Sequence, residues 1–146
     1  KEPYVIMYLM SEDKELIRFA KKLAKEKQCK LLYIHDRLFN LPGAVNLHDV
    51  TPGQWLGLFT NADYVVTNSF HGTVFSINFN KQFFVRFIPR SIANTRIQCE
   101  LEEYGLFHRE IDSLDNTRCD YQTVNTILAK NRGHSLEFLR NRIIGA

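Results

Sequence analysis

The sequence predicts an α/β fold: a three-layer, Rossmann-like domain with a mostly parallel sheet flanked by helices. Three observations carry this. Short apolar, β-branched runs of strand length alternate with segments whose apolar residues recur at helical spacing. The first strand–helix–strand trio forms a βαβ unit, and its right-handed crossover makes a parallel sheet the natural inference. Residues 64–79 then compress a strand, a tight polar turn and a helix into one stretch, the layout that places ligands at the carboxyl edge of an open α/β sheet.

Each element has its own signal. Tyr4 to Met10 is apolar throughout and reads as a first, central strand. Ser11 is placed as an N-cap, with Glu12 and Asp13 in the first turn where negative charge suits the helix dipole. Leu16, Ile17, Ala20, Leu23 and Ala24 recur at helical spacing, so residues 12–28 form an amphipathic helix. Residues 30–35 are a second strand, and 44–48 a short third one after a Pro42-Gly43 loop. Thr51 caps a helix with Pro52 at its first position, and Trp55, Leu56 and Phe59 form its apolar face.

Tyr64 to Asn68 is a β-branched run with strand character, Ser69-Phe70-His71-Gly72 is the turn, and Thr73 to Phe79 is a compact apolar helix. Phe83 to Phe87 is another strand. Asn94 is placed to cap a helix sharing Ile97, Leu101 and Tyr104, which ends at Gly105 in the C′ position. Residues 107–119 read as irregular, with a short extended piece at 109–111. Residues 121–143 read as one long helix or two, with Gly133 as the possible break.

The chain has 146 residues, 45% hydrophobic and 24% charged, enough for one domain with a sizeable core. No apolar run has the length of a membrane span, and no signal-peptide pattern opens the chain. It begins Lys1-Glu2-Pro3 without an initiator Met, as expected of a fragment cut from a longer protein or of a processed chain. Net charge is +3, and the densest basic group lies on or just after the first helix, as on a solvated helix face. Nothing resembles a nucleic-acid motif. Cys29, Cys99 and Cys119 are far apart and form no Cys/His cluster, so no zinc or other metal site is expected, and free thiols suit a reducing compartment.

The motif Asn61-Ala-Asp-Tyr-Val-Val-Thr-Asn-Ser-Phe-His-Gly-Thr-Val-Phe-Ser-Ile77 resembles the signature of the polysaccharide pyruvyl transferase family. Residues 52–59 look like the family's preceding helix, and 94–106 look like its "N-x-R-I … G-L" segment, so the resemblance runs over roughly residues 45–140. It implies one Rossmann-like half, the carboxy-terminal one, of a two-lobed fold similar to the GT-B glycosyltransferases. The missing amino-terminal half would then be a partner within the same protein. It also implies transfer of a pyruvyl group, as a ketal, from phosphoenolpyruvate to hydroxyls of a cell-surface glycan or its lipid-linked sugar precursor. The donor would be a substrate, with no separate cofactor, and the location cytoplasmic, up to the inner face of the membrane.

His71 matches the family's catalytic histidine. Ketal formation from an enol phosphate needs a proton delivered to the enol carbon, and a histidine titrating near neutrality suits that work. The alternative is a histidine that only fixes the turn. Asn68, Ser69 and Thr73 could donate to an anion or to sugar hydroxyls, or could simply cap the helix. Gly72 permits close approach of a ligand or of another backbone, and Phe70 walls the site or packs in the core.

Better-studied members carry an arginine two residues before the histidine, where this chain has Ser69. Arginine suits bidentate recognition of carboxylate or phosphate, so Arg86, Arg90 and Arg96 are the candidates to supply that charge, each with a surface salt bridge as its alternative. The departure keeps two further readings open. One is a nucleotide-sugar-dependent glycosyltransferase half. The other is a non-catalytic glycan- or partner-binding module of the same fold.

Overall fold

In the computed structural model, which describes residues 2–36, 38–115 and 117–144, five strands form one all-parallel sheet. They are β1 (Tyr4–Tyr8), β2 (Lys30–Ile34), β3 (Val45–Leu47), β4 (Tyr64–Thr67) and β5 (Gln82–Val85). Their order is β3-β2-β1-β4-β5, so the topology reverses between β1 and β4. Such a switch point leaves a crevice at the carboxyl ends of the two strands, where ligands of open α/β sheets bind.

The helices are α1 (Lys14–Glu26), α2 (Pro52–Asn61), α3 (Phe70–Asn78), α4 (Ala93–Glu103) and α5 (Tyr121–Ile144). Strand side chains alternate between two cores, as the pleat requires. Val5, Met7, Leu31, Tyr33, Val66 and Phe84 pack against Leu16, Ala20 and Leu23 of α1. Ile6, Ile34, Val65, Phe83 and Val85 face the other way, against Phe59, Ile77, Ile97, Leu101, Val124 and Leu128. One helix therefore covers one face and four cover the other. Full burial of each large apolar side chain stabilises the fold by roughly 1.5–3 kcal/mol, which is why near-continuous apolar runs mark β1 and β4.

Several boundaries differ from expectation, each for a local reason. Asp13, not Ser11, caps α1: its Oδ1 accepts from the amides of Glu15 and Leu16 at 3.0 Å. The Ser11 carbonyl is instead held by Asn68. α3 begins at Phe70, three residues early, because Ser69 caps it and draws His71 and Gly72 into its first turn. Asn94 lies inside α4 and does not cap it. Its side-chain amide bonds both the N–H and the carbonyl of Ile88, closing the 88–94 loop.

Thr51 and Gln54 form a reciprocal capping box on α2. Gly105 adopts a φ of 65°, and the Leu106 amide reaches the Leu101 carbonyl at 2.7 Å, the closure typical of a Schellman motif. Residues 107–113 form two 3₁₀ turns in place of an extended piece, with a single parallel bridge from Glu110 to Val85. α5 is one helix and passes Gly133 unbroken. Its first half packs through Val124 and Leu128, whereas Leu136, Phe138, Leu139 and Ile143 are at least half exposed.

Candidate active site

The turn after β4 is built on Thr67, the last residue of that strand. Its hydroxyl donates to the Tyr8 carbonyl at 2.6 Å and accepts from the Ser69 amide at 3.0 Å. Ser69 Oγ then accepts from the Gly72 amide at 3.4 Å, and Thr73 Oγ1 donates back to the Ser69 carbonyl at 3.0 Å. Gly72 is required by space: a Cβ there would lie 2.3 Å from Thr67 Oγ1. The first turn of α3 therefore rests directly on the Thr67 side chain.

Asn68 works across the switch point. Its Oδ1 accepts from the Met10 amide at 2.8 Å, and its Nδ2 donates to the Ser11 carbonyl at 3.0 Å. The turn after β4 is thus fastened to the loop after β1. Asn68, Ser69, Gly72 and Thr73 are all buried, and the three polar side chains among them bond to backbone.

His71 is the exception in the turn: it is exposed. It follows Phe70, whose ring lies 5.8 Å from the imidazole, centroid to centroid. The Arg96 guanidinium of α4 stacks over that same Phe70 ring at 3.7 Å. An exposed imidazole and an exposed guanidinium thus share one aromatic wall at the amino end of α3. The amides of Phe70 and His71 belong to the first turn, where helical N–H groups have no intrahelical acceptor and the dipole is positive. This is a surface suited to an anion.

The other two arginines diverge. Arg86 donates to Asp13 at 2.9 Å and approaches Asp112 at 3.5 Å, so it ties the start of α1 to the 3₁₀ segment. Arg90 is exposed on a turn, with φ at 60°. His35 and His48, at the ends of β2 and β3, form an edge-to-face pair at 4.4 Å and bond Asn46 and Asn40 respectively. Asp63, at the amino end of β4, accepts from the Tyr4 amide. Among the described residues no group of His, Cys, Asp and Glu is arranged to hold a metal ion.

Sequence reasoning passed over Thr67 and the loop after β1. Thr67 reads as an ordinary β-branched strand residue, and Met10 as the end of a strand. Only a hydroxyl at the last strand position, directly before a polar turn, hinted at more.

A family model described as polysaccharide pyruvyl transferase matches residues 1–86, more than half of the chain, from β1 through the turn carrying His71 to Arg86. The chain belongs to the polysaccharide pyruvyl transferase family. The matched region holds the whole sheet and both lips of the switch-point crevice, while Arg90 and Arg96 lie beyond it. A comparison with curated proteins finds no match. Membership in this pyruvyl transferase family points to transferase chemistry and sugar substrates. No helix among the described residues is long and apolar enough to cross a membrane.

Proposed function

We propose that this chain is the donor-side, carboxy-terminal half of an enzyme that transfers a pyruvyl group from phosphoenolpyruvate to sugar hydroxyls of a cell-surface glycan or its lipid-linked precursor. The observation that carries the reading is the exposed His71 imidazole on the first turn of α3, beside an Arg96 guanidinium stacked on Phe70.

In this reading His71 delivers a proton to the methylene carbon of phosphoenolpyruvate. A sugar hydroxyl adds to the adjacent carbon and its proton returns to His71. The bond to phosphate then breaks, a second hydroxyl adds, and its proton leaves with the phosphate. Two hydroxyl protons are released: one ends on the new methyl group and one on the phosphate. Arg96 and the first-turn amides of α3 hold the donor's negative charge.

The missing amino-terminal half supplies the acceptor site. The half-exposed apolar residues of α5, with Leu136, Leu139 and Ile143 on one stripe, support a larger body than the sheet and its helices alone. Cys29, Cys99 and Cys119 are all free thiols, in keeping with action in the cytoplasm.

The nucleotide-sugar alternative has less support. A Rossmann diphosphate site uses a glycine-rich turn after β1. Here residues 9–13 contain no glycine and end in Glu12 and Asp13.

Titrating the chain with phosphoenolpyruvate while following the His71 imidazole resonances by NMR tests donor binding. A saturable shift is expected, and no shift at millimolar ligand refutes the reading. In the full-length enzyme, His71→Ala is expected to abolish transfer. Unchanged transfer would leave a structural role for the histidine and favour the non-catalytic alternative.

A further inference from the structure

The switch-point crevice has two lips, and only the one carrying His71 has been given a role. The other is the loop from Leu9 to Glu12, after β1. Two observations bring it into the site. Asn68 clasps it to the His71 turn by paired hydrogen bonds to Met10 and Ser11, yet Asn68 itself is 1% exposed and presents almost nothing to solvent. Met10, by contrast, two residues beyond β1 and bonded through its amide to Asn68, is 62% exposed, so its side chain is open to a ligand beside the clasp. On its other side the loop, Met10 included, lines a separate cleft with Tyr33, Ile34, His35 and Asp36 at the end of β2.

We propose that the Leu9–Glu12 loop is the second lip of the donor site, with Met10 as a ligand contact, and that Asn68 is a positioning residue that keeps the two lips in register. This rests on the proposed binding of phosphoenolpyruvate beside His71. A ligand seated between the ends of β1 and β4 touches both lips. Loss of the clasp lets the loop sample positions in which the crevice is incomplete, and apparent affinity falls in proportion to the competent fraction.

The chain has two methionines, which makes the test clean. Met7 is fully buried in the α1-side core and serves as an internal control for the fold. Protein labelled with 13C at the methionine methyl groups is titrated with phosphoenolpyruvate, with His71 imidazole resonances recorded in parallel. Met10 is expected to shift with the same midpoint as His71 while Met7 stays still.

Asn68→Ala is expected to weaken both responses about tenfold, through a smaller competent fraction. Asn68→Asp, which keeps the acceptor for the Met10 amide but loses the donor to Ser11, falls between and serves if the alanine variant does not fold. His71 shifting without Met10 overturns the second lip and leaves the donor reading standing. Met7 moving together with Met10 also overturns it, because the effect is then transmitted through the core. Unchanged affinity in both Asn68 variants overturns the positioning role. If neither His71 nor Met10 responds, the donor reading fails and this inference fails with it.

Discussion

Gly72→Ala is the sharpest probe of how the His71 turn is held. The new Cβ would sit 2.3 Å from Thr67 Oγ1, 3.0 Å from its Cβ and 3.1 Å from its Cγ2. Thr67 is fully buried, and its hydroxyl is fixed between the Tyr8 carbonyl and the Ser69 amide. If Thr67 stays, the helix must lift, and overpacking of this kind costs about 1–3 kcal/mol. If it rotates away, two hydrogen bonds of about 1 kcal/mol each are lost and two buried backbone groups are stranded. Alanine's better helix propensity offsets at most about 1 kcal/mol. The net expectation is destabilisation by about 2–3 kcal/mol, or a fall in Tm of roughly 5–10 °C for a chain of this size.

Urea unfolding followed by Trp55 fluorescence measures it, since Trp55 is the sole tryptophan and packs between Phe59 and Phe75. Thr67→Ala supplies the control. It removes Oγ1 and Cγ2, so adding Gly72→Ala in that background is expected to cost less by about 1 kcal/mol or more. A Gly72→Ala variant within about 0.5 kcal/mol of the parent refutes the reasoning. So does an equal cost in both backgrounds.

Two further perturbations are expected to act through the scaffold. Arg86→Ala leaves the half-buried Asp13 carboxylate without its 2.9 Å guanidinium partner. Destabilisation of about 1–2 kcal/mol is expected, smaller in high salt, read from urea midpoints at low and high ionic strength. Burial and the neighbouring Arg109 hold the His108 imidazole below its ordinary value, against weaker opposing effects of Asp115 and a bond to the Gly105 backbone. The unfolded chain therefore takes up this proton first as pH falls, so stability is full above the ordinary value of about 6.5 and declines as pH drops through it. His108 Nε2 is also buried with no hydrogen-bond partner among the described residues. His108→Phe is expected to flatten that part of the profile and to match or exceed the parent at pH 6, measured as urea midpoint against pH.

The fold was legible because its signals are redundant. β1, β2 and β4 are apolar on both faces, as strands covered on both sides must be, and α1 repeats its apolar residues at helical spacing. Helix starts were less legible. Ser11 and Asp13 are both good caps, and the choice is made by distant groups: Arg86 pairs with Asp13 and Asn68 takes the Ser11 carbonyl. Asn94 was drawn away from capping by a nearer partner, the backbone of Ile88 six residues back. Local propensity cannot see a partner that only the folded chain brings near. The pairing of Arg96 with Phe70 was invisible for the same reason, since it depends on α4 folding back beside α3.

The candidate site carries a more general point about polar motifs. A turn that passes from a buried strand to a buried helix without a loop must satisfy its own backbone groups. The nearest donors and acceptors are the hydroxyls and amides of the turn itself. Thr67, Ser69 and Thr73 serve that need here and Asn68 bonds the neighbouring loop, so a dense cluster of polar residues is first of all evidence for a tight, fixed turn. Chemistry has to come from what still faces solvent, and within the turn that is His71. The internal bonds matter to it indirectly. With the turn pinned by Thr67 below and by Asn68 across the crevice, an imidazole on its apex has little freedom to drift. Proton transfer is sensitive to displacements of about 1 Å, so rigidity beneath an exposed side chain is part of what a general acid at this position would require.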